Sequence, residues 1–238
     1  SELNGPLNIP QTVQIGGKTY PVEELAVRMF EGEGESLIKN ITAITLPEGL
    51  KRLEKNSLYS EVVSATEVTI PASVEYVGTY FLRGETLKKI TFKGSPVLAD
   101  NSVGSNYKLI HFMSQTPPAV GKYSFQSAHL MVVAPDIASI PVYRTTLSGH
   151  WGVEKGYELS VYGGLKEADN VYYSAMEDGN ACAIYFDGTQ TSVALSKTIQ
   201  IGGAAHALAK IHRGLFYYKN ITEVIVPETV KTIGGNAF

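Results

Sequence analysis

The 238-residue chain has one cysteine, Cys182, and so has no intramolecular disulfide and no cysteine-rich zinc site. A lone cysteine of this kind reads as a small buried hydrophobe. Lack of disulfides does not exclude export. Charge is also scarce: Asp, Glu, Lys and Arg make up 18%, the net charge is −3, and no run of one sign occurs. That excludes the basic patch that non-specific nucleic-acid or anionic-membrane binding needs. The surface is left to Thr, Ser, Asn, Gly and the 14 Tyr. No apolar run approaches the roughly 20 residues of a membrane span. No signal peptide is visible, and a start at Ser1 rather than Met reads as a processed or engineered end.

Catalytic constellations are missing too. The five histidines (His111, His129, His150, His206, His212) have no metal-binding spacing. There is no G-x-S-x-G elbow, no phosphate loop and no dinucleotide fingerprint. The carboxylates of EGEGE (Glu31, Glu33, Glu35) lack the Asp/Asn-Gly pattern of a calcium loop and read as solvated. No enzyme activity and no cofactor are expected.

What is present is repetition. TVQIGGKTYPVEELAVRMF (Thr12 to Phe30) aligns without a gap on TIQIGGAAHALAKIHRGLF (Thr198 to Phe216). KNITAITLPEGLKRL (Lys39 to Leu53) then matches KNITEVIVPETVKTI (Lys219 to Ile233), after about six extra residues in the first copy. The Gly pairs Gly16-Gly17 and Gly202-Gly203 suit tight turns between strands. His206 and His212 stand where the first copy has Tyr20 and Ala26, and read as solvent or turn positions.

A shorter unit runs inside each copy. Strand cores ITAITL (Ile41 to Leu46), VTI (Val68 to Ile70), ITF (Ile90 to Phe92), IHF (Ile110 to Phe112) and ITEVIV (Ile221 to Val226) alternate apolar and mostly polar residues. Pro47, Pro71 and Pro227 end three of them, since proline lacks the ladder donor. Beyond each turn, one apolar anchor is followed five positions later by another: Leu25/Phe30, Leu53/Leu58, Val77/Leu82, Leu98/Val103, Val120/Phe125, Ile211/Phe216 and Ile233/Phe238. Second anchors are 28, 24, 21 and 22 residues apart in the first array and 22 in the second. That is within or close to the leucine-rich-repeat period of about 20 to 29. One unit cannot bury its anchors alone, but stacked units place strands about 4.8 Å apart over a continuous core.

ITEVIVPETVKTIGGNAF (Ile221 to Phe238) and ATEVTIPASVEYVGTYFL (Ala65 to Leu82) resemble the unit of the BspA-type leucine-rich repeats of bacterial surface proteins. GGKTYPVEELAVRMF resembles that family's opening repeat, and PPAVGKYSF (Pro117 to Phe125) its late-repeat variant. MVVAPDIASIPVYRTTLSGHWG (Met131 to Gly152) resembles its array-ending segment, with Pro135, Tyr143 and Trp151 closing the stack. The expected fold is an α/β-type leucine-rich-repeat right-handed solenoid, predominantly β. Its strands are short and its outer side is mostly irregular or 3₁₀, with short 3₁₀ turns, extended pieces or brief helices.

Two tandem arrays are expected. Residues 1–163 form the first, with its cap near Trp151; residues 164–238 form the second, divided from it at about Gly163-Gly164. Resemblance is weakest over Leu165 to Gln190, read as a lead-in hairpin for the second array. The second array stops at Phe238, an anchor with nothing after it, which implies a piece of a longer protein, packing of that end against the first array, or association through it, the first being favoured.

Strand alternation places Thr45, Thr69, Thr91, His111 and Val133 in one outward column, and Ala43, Glu67, Lys89 and Leu109 in its neighbour. Thr45, Glu67, Thr69, Lys89, Thr91, Leu109 and His111 are the candidate ligand-binding residues. The resemblance implies a secreted or cell-surface, outer-membrane-associated module whose export signal lies outside this chain. It implies adhesion to a host extracellular matrix protein or a bacterial surface protein, with no nucleic acid and no membrane insertion. A structural spacer or a glycan-binding module of a larger surface protein is the alternative.

Overall fold

The anchor spacing is realised as ladders. In the computed structural model, which describes residues 3–29, 38–59, 63–83, 86–104, 109–125, 130–149 and 158–238, each repeat contributes short parallel strands to successive sides of a coil. Phe30, the EGEGE carboxylates, His129, His150 and Trp151 lie outside the described residues. Two compact units result: Ser1–Val132 with Val142–Ser160, and Val133–Pro141 with Val161–Phe238.

In the first unit, one side pairs Glu67–Ile70, Lys89–Phe92 and Leu109–Phe112 in parallel, one residue per rung without slippage. The second side is a five-rung parallel ladder of two-residue strands that aligns Leu25, Leu53, Val77, Leu98 and Val120. These are the five first anchors. A third line joins Leu58–Tyr59 to Leu82–Arg83, and Val103 to Phe125, the second anchors. Of the forms expected on the outer side, the extended pieces are the ones that form this ladder. Leu53, Val77, Leu58 and Val103 are all within 1% of full burial, each worth roughly 1.5–3 kcal/mol in transfer free energy.

Between paired anchors the chain turns at a residue with positive φ: Arg28, Asn56, Tyr80 and Asn101. The second unit puts Gly214 and Asn236 at the same corner. Asn and Gly adopt this region at least cost.

The core side of the Glu67–Ile70 ladder stacks Phe92 on Phe112, with ring centroids 4.9 Å apart. Tyr143 continues the stack, 5.5 Å from Phe112. It stands on a helix, Ile140–Leu147, preceded by a 3₁₀ turn, Ile137–Ser139, whose N-terminus is capped by the Asp136 carboxylate accepting from Ser139 N–H at 2.9 Å.

The second unit opens with antiparallel strands, Leu159–Ala168, Val171–Ala175 and Ala181–Phe186, so the expected lead-in hairpin has a third strand. Gly163 and Gly164 lie inside the first of these strands. The register shifts there, with Gly164 at φ +66°, the geometry of a bulge. Cys182 is fully buried, and burial pushes its thiol up to about 12.

Duplication extends to the pairing. Each copy carries a hairpin, Thr12–Ile15 with Lys18–Pro21 and Thr198–Ile201 with Ala204–Ile211, turning on two glycines of positive φ. That is the turn whose twist matches a two-residue hairpin loop. Leu25 pairs with Leu53 in one copy, and Ile211 with Ile233 in the other. His206 and His212 are buried, correcting the solvent-or-turn reading. In this copy the hairpin is packed over, and each imidazole Nδ1 meets a backbone carbonyl, Gly179 O at 2.8 Å and Arg213 O at 2.9 Å.

Candidate functional site

Three rungs of each column read from alternation share a register. Glu67, Lys89 and Leu109 are partners across three rungs, as are Thr69, Thr91 and His111. Ala43 and Thr45 belong to Ile38–Thr45, which pairs with Leu3–Asn8 and meets the next rung at Ile41, which bridges Val63 and accepts from the Ser64 and Ala65 N–H groups.

Exposure changes along the face. Thr45, Glu67 and Thr69 are open to solvent, and Lys89 and His111 are half-buried. Thr91, Leu109 and Val133 are buried, which corrects their assignment to an exposed surface. The reason is visible in their strands. LIHF (Leu109–Phe112) and LMVVA (Leu130–Ala134) carry apolar residues at adjacent positions, so both faces of these strands have a side chain to bury. EVTI (Glu67–Ile70) has one apolar face and stays open on the other.

Where Ile38–Thr45 and Glu67–Ile70 part after that bridge, a groove of about 320 Å³ opens. Thr45, Thr69 and Ala43 line it, with the ends of Glu48, Glu67 and Lys93. Lys93 Nζ lies 2.9 Å from Glu48 Oε1. Lys89 pairs with Glu67 one rung along. Exposed pairs of this kind add little stability, about 0–1 kcal/mol. Their effect is to hold charges of both signs in fixed places beside two threonine hydroxyls. Lys93 and Glu48 were not among the candidate residues, because both follow the strand core and alternation does not orient them.

His111 is half-buried in its column. Burial, with the Lys89 ammonium beside it, pushes its imidazole down to about 4, so it is neutral at physiological pH. A neutral imidazole next to a lysine offers hydrogen bonds without adding charge.

Among the described residues, no group of three or more His, Cys, Asp or Glu is placed to hold a metal ion. No helix among them is long and apolar enough to cross a membrane. The groove offers hydroxyls, carboxylates and an ammonium.

The family model for the BspA type leucine-rich repeat region matches the chain in six copies, over residues 36–131 and 197–238. No curated protein matches it in sequence. Among solved structures it is similar to the pneumococcal vaccine antigen PcpA, at 18% identity over 98% of this chain and 70% of that one, with a TM-score of 0.29. It is also similar to a leucine-rich cell surface protein from Faecalibacterium prausnitzii A2-165, at 14% identity over 100% and 67% of the two chains, with a TM-score of 0.31. A leucine-rich-repeat protein from Bacteroides ovatus ATCC 8483 shares 12% identity over 100% and 87%, with a TM-score of 0.18.

Proposed function

The chain belongs to the BspA-type leucine-rich-repeat family, and on that premise we propose that it is a non-enzymatic protein-binding module of a secreted or cell-surface bacterial protein. It mediates adhesion to a host extracellular protein or to another bacterium. One observation carries the reading: the groove between Ile38–Thr45 and Glu67–Ile70, lined by Thr45 and Thr69 together with Glu48, Glu67 and Lys93. A mostly neutral surface with fixed charges of both signs favours a folded protein partner over a polyanion.

The test is a pull-down of soluble matrix and bacterial surface proteins by the full chain. A variant with Thr45, Glu67, Thr69 and Lys93 changed to alanine runs beside it. A protein captured by the parent and lost by the variant supports adhesion through the groove. Capture that survives the four changes keeps adhesion and moves it to another face. No captured protein overturns the reading.

A second reading, glycan binding, is favoured by Tyr217 and Tyr218. They are 49% and 90% exposed, with ring centroids 4.0 Å apart and hydroxyls 3.0 Å apart. Sugars stack on such surface rings. A glycan array probed with the parent and a Tyr217→Ala/Tyr218→Ala variant decides it: glycan signal lost with the tyrosines supports this reading, and a blank array removes it.

A further inference from the structure

The groove lies between two strands that match in register but form no ladder. ITAITLP (Ile41 to Pro47) aligns on ATEVTIP (Ala65 to Pro71), so the repeat register pairs Ala43 with Glu67, Ile44 with Val68 and Thr45 with Thr69. The next rung realises the same relation: Glu67 pairs with Lys89, Val68 with Ile90 and Thr69 with Thr91. Among the described residues, Ile38–Thr45 and Glu67–Ile70 form no such ladder, and the groove takes its place.

The main-chain groups for that ladder face the right way. Successive residues of a strand turn their N–H and C=O to opposite edges. Lys89 N–H donates to the Thr66 carbonyl at 3.1 Å, and Lys93 N–H to the Ile70 carbonyl at 3.0 Å. Thr66 and Ile70 therefore serve the edge toward Lys89–Phe92, and Glu67 and Thr69 serve the edge along the groove. On the other strand, Ile9 N–H donates to the Thr45 carbonyl at 3.1 Å. Thr45 thus serves Leu3–Asn8, and Ile44 serves the groove.

A bulge sets this orientation. The Ile41 carbonyl accepts from Ala65 N–H at 3.0 Å. Unbroken alternation from Ile41 would turn Thr45 toward the groove as well. The pairing with Leu3–Asn8 instead steps from Gly5–Ile41 to Pro6–Ala43, which leaves Thr42 as an extra residue. One extra residue reverses the alternation beyond it. Ile44 registers the gap that remains. It is half-buried, whereas Val68, Ile90 and Ile110, at the same place in later rungs, are 2%, 0% and 3% exposed.

We propose that this seam is a latch that closes into the repeat register. In the closed state Ile44 N–H donates to the Glu67 carbonyl and Thr69 N–H donates to the Ile44 carbonyl. The strands then lie about 4.8 Å apart, Ile44 is covered beside Val68, and the groove is gone. A slip of one residue would set Ile44 opposite Glu67 or Thr69, so only one register closes the seam. The inference rests on the reading of the groove as the binding site and gives that site its regulation. A partner in the groove selects the open state, and closure withdraws the site.

The test is amide relaxation dispersion on the full chain alone, which reads exchange on the microsecond to millisecond scale. Exchange is expected at Ile44, Glu67 and Thr69 and not at Ile90 and Thr91. Ile44→Ala lowers the closed population about tenfold, because closure then covers less apolar surface. A second variant, Ala43→Cys/Glu67→Cys, places two cysteines at a spacing a disulfide spans only when the seam is closed; Cys182 is buried and does not compete. Oxidation is expected to cross-link this variant and abolish the exchange, and reduction to restore it. Flat profiles at the three amides overturn the latch, as does exchange that persists in the cross-linked chain. A cysteine pair that stays reduced under oxidation also overturns it. No binding partner enters these measurements, so failure of the latch and failure of the adhesion reading are told apart. Where the parent captures a matrix protein through the groove, the oxidised variant loses that capture and the reduced variant regains it; capture by the cross-linked chain overturns the regulatory role.

Discussion

The Tyr143 hydroxyl donates to the Ser114 backbone carbonyl at 2.8 Å while its ring continues the Phe92–Phe112 stack. One side chain thus closes the first unit's aromatic column and satisfies a carbonyl in the loop after Leu109–Phe112. Tyr143 is fully buried. Tyr143→Phe keeps the ring and removes the donor, with an expected loss of about 1 kcal/mol. Tyr143→Ala also leaves a cavity, with an expected loss of about 4 kcal/mol. Urea unfolding of both variants measures the difference, and equal losses would mean that the ring contributes nothing.

His111 makes stability depend on pH. Its folded-state pKa of about 4 lies below the ordinary imidazole value of 6.5. Above pH 6.5 neither state is protonated, and the group has no effect. As pH falls from 6.5 toward 4, the unfolded chain takes up a proton that the folded chain refuses, so stability falls; below about 4 the loss is complete. Its size is at most about 3 kcal/mol, less what solvent screening removes from a half-buried group. His111→Gln abolishes this part of the acid slope. An NMR titration of the His111 ring with a midpoint near 6.5 would refute the assignment.

Cys182 is inert while the chain is folded. Its thiol is fully buried and pushed up to about 12, so almost no thiolate exists near neutral pH. Labelling by a disulfide reagent is expected only at the rate of unfolding, and to completion in denaturant. Rapid labelling under native conditions would show that the Val171–Phe186 strands open readily.

Two glycines give opposite outcomes. A Cβ at Gly163 meets the Asp136 carbonyl carbon at 2.4 Å and the Ile137 nitrogen at 2.5 Å, both backbone atoms that cannot move aside alone. Gly163→Ala is expected to cost about 3 kcal/mol. A Cβ at Gly104 meets nothing within 4 Å, and its φ is not positive. Gly104→Ala is expected to stabilise by about 0.5 kcal/mol by restricting the unfolded chain. Thermal midpoints moving in opposite directions confirm the pair.

Much of this fold is legible in the residues. The five-position anchor spacing marks the ladders of Leu25, Leu53, Val77, Leu98 and Val120, because side chains that must be buried together recur at the same point of each rung. Alternation in EVTI and KITF places Glu67 beside Lys89 and Thr69 beside Thr91. The Gly-Gly pairs mark both hairpin turns. The candidate face was legible as a register and only partly as a surface: Thr91 and Leu109 are in their columns but not in solvent. Alternation tells which residues share a face, not what covers that face. Lys93 and Glu48 were missed because they leave the strand, and the positive-φ corners at Arg28 and Tyr80 carry no Gly or Asn to announce them.

The sequence by itself determined the repeat, the anchors, the strand registers and the duplication, since each is a periodic property of local residues and a core needs that period. Tertiary structure decided cover. Ile15 and Ile201 are the same residue in the same hairpin, yet Ile201 is buried in a core shared with the strands of residues 171–186 while Ile15 is exposed. Burial belongs to the partner as much as to the side chain, and no reading of either hairpin alone contains the partner.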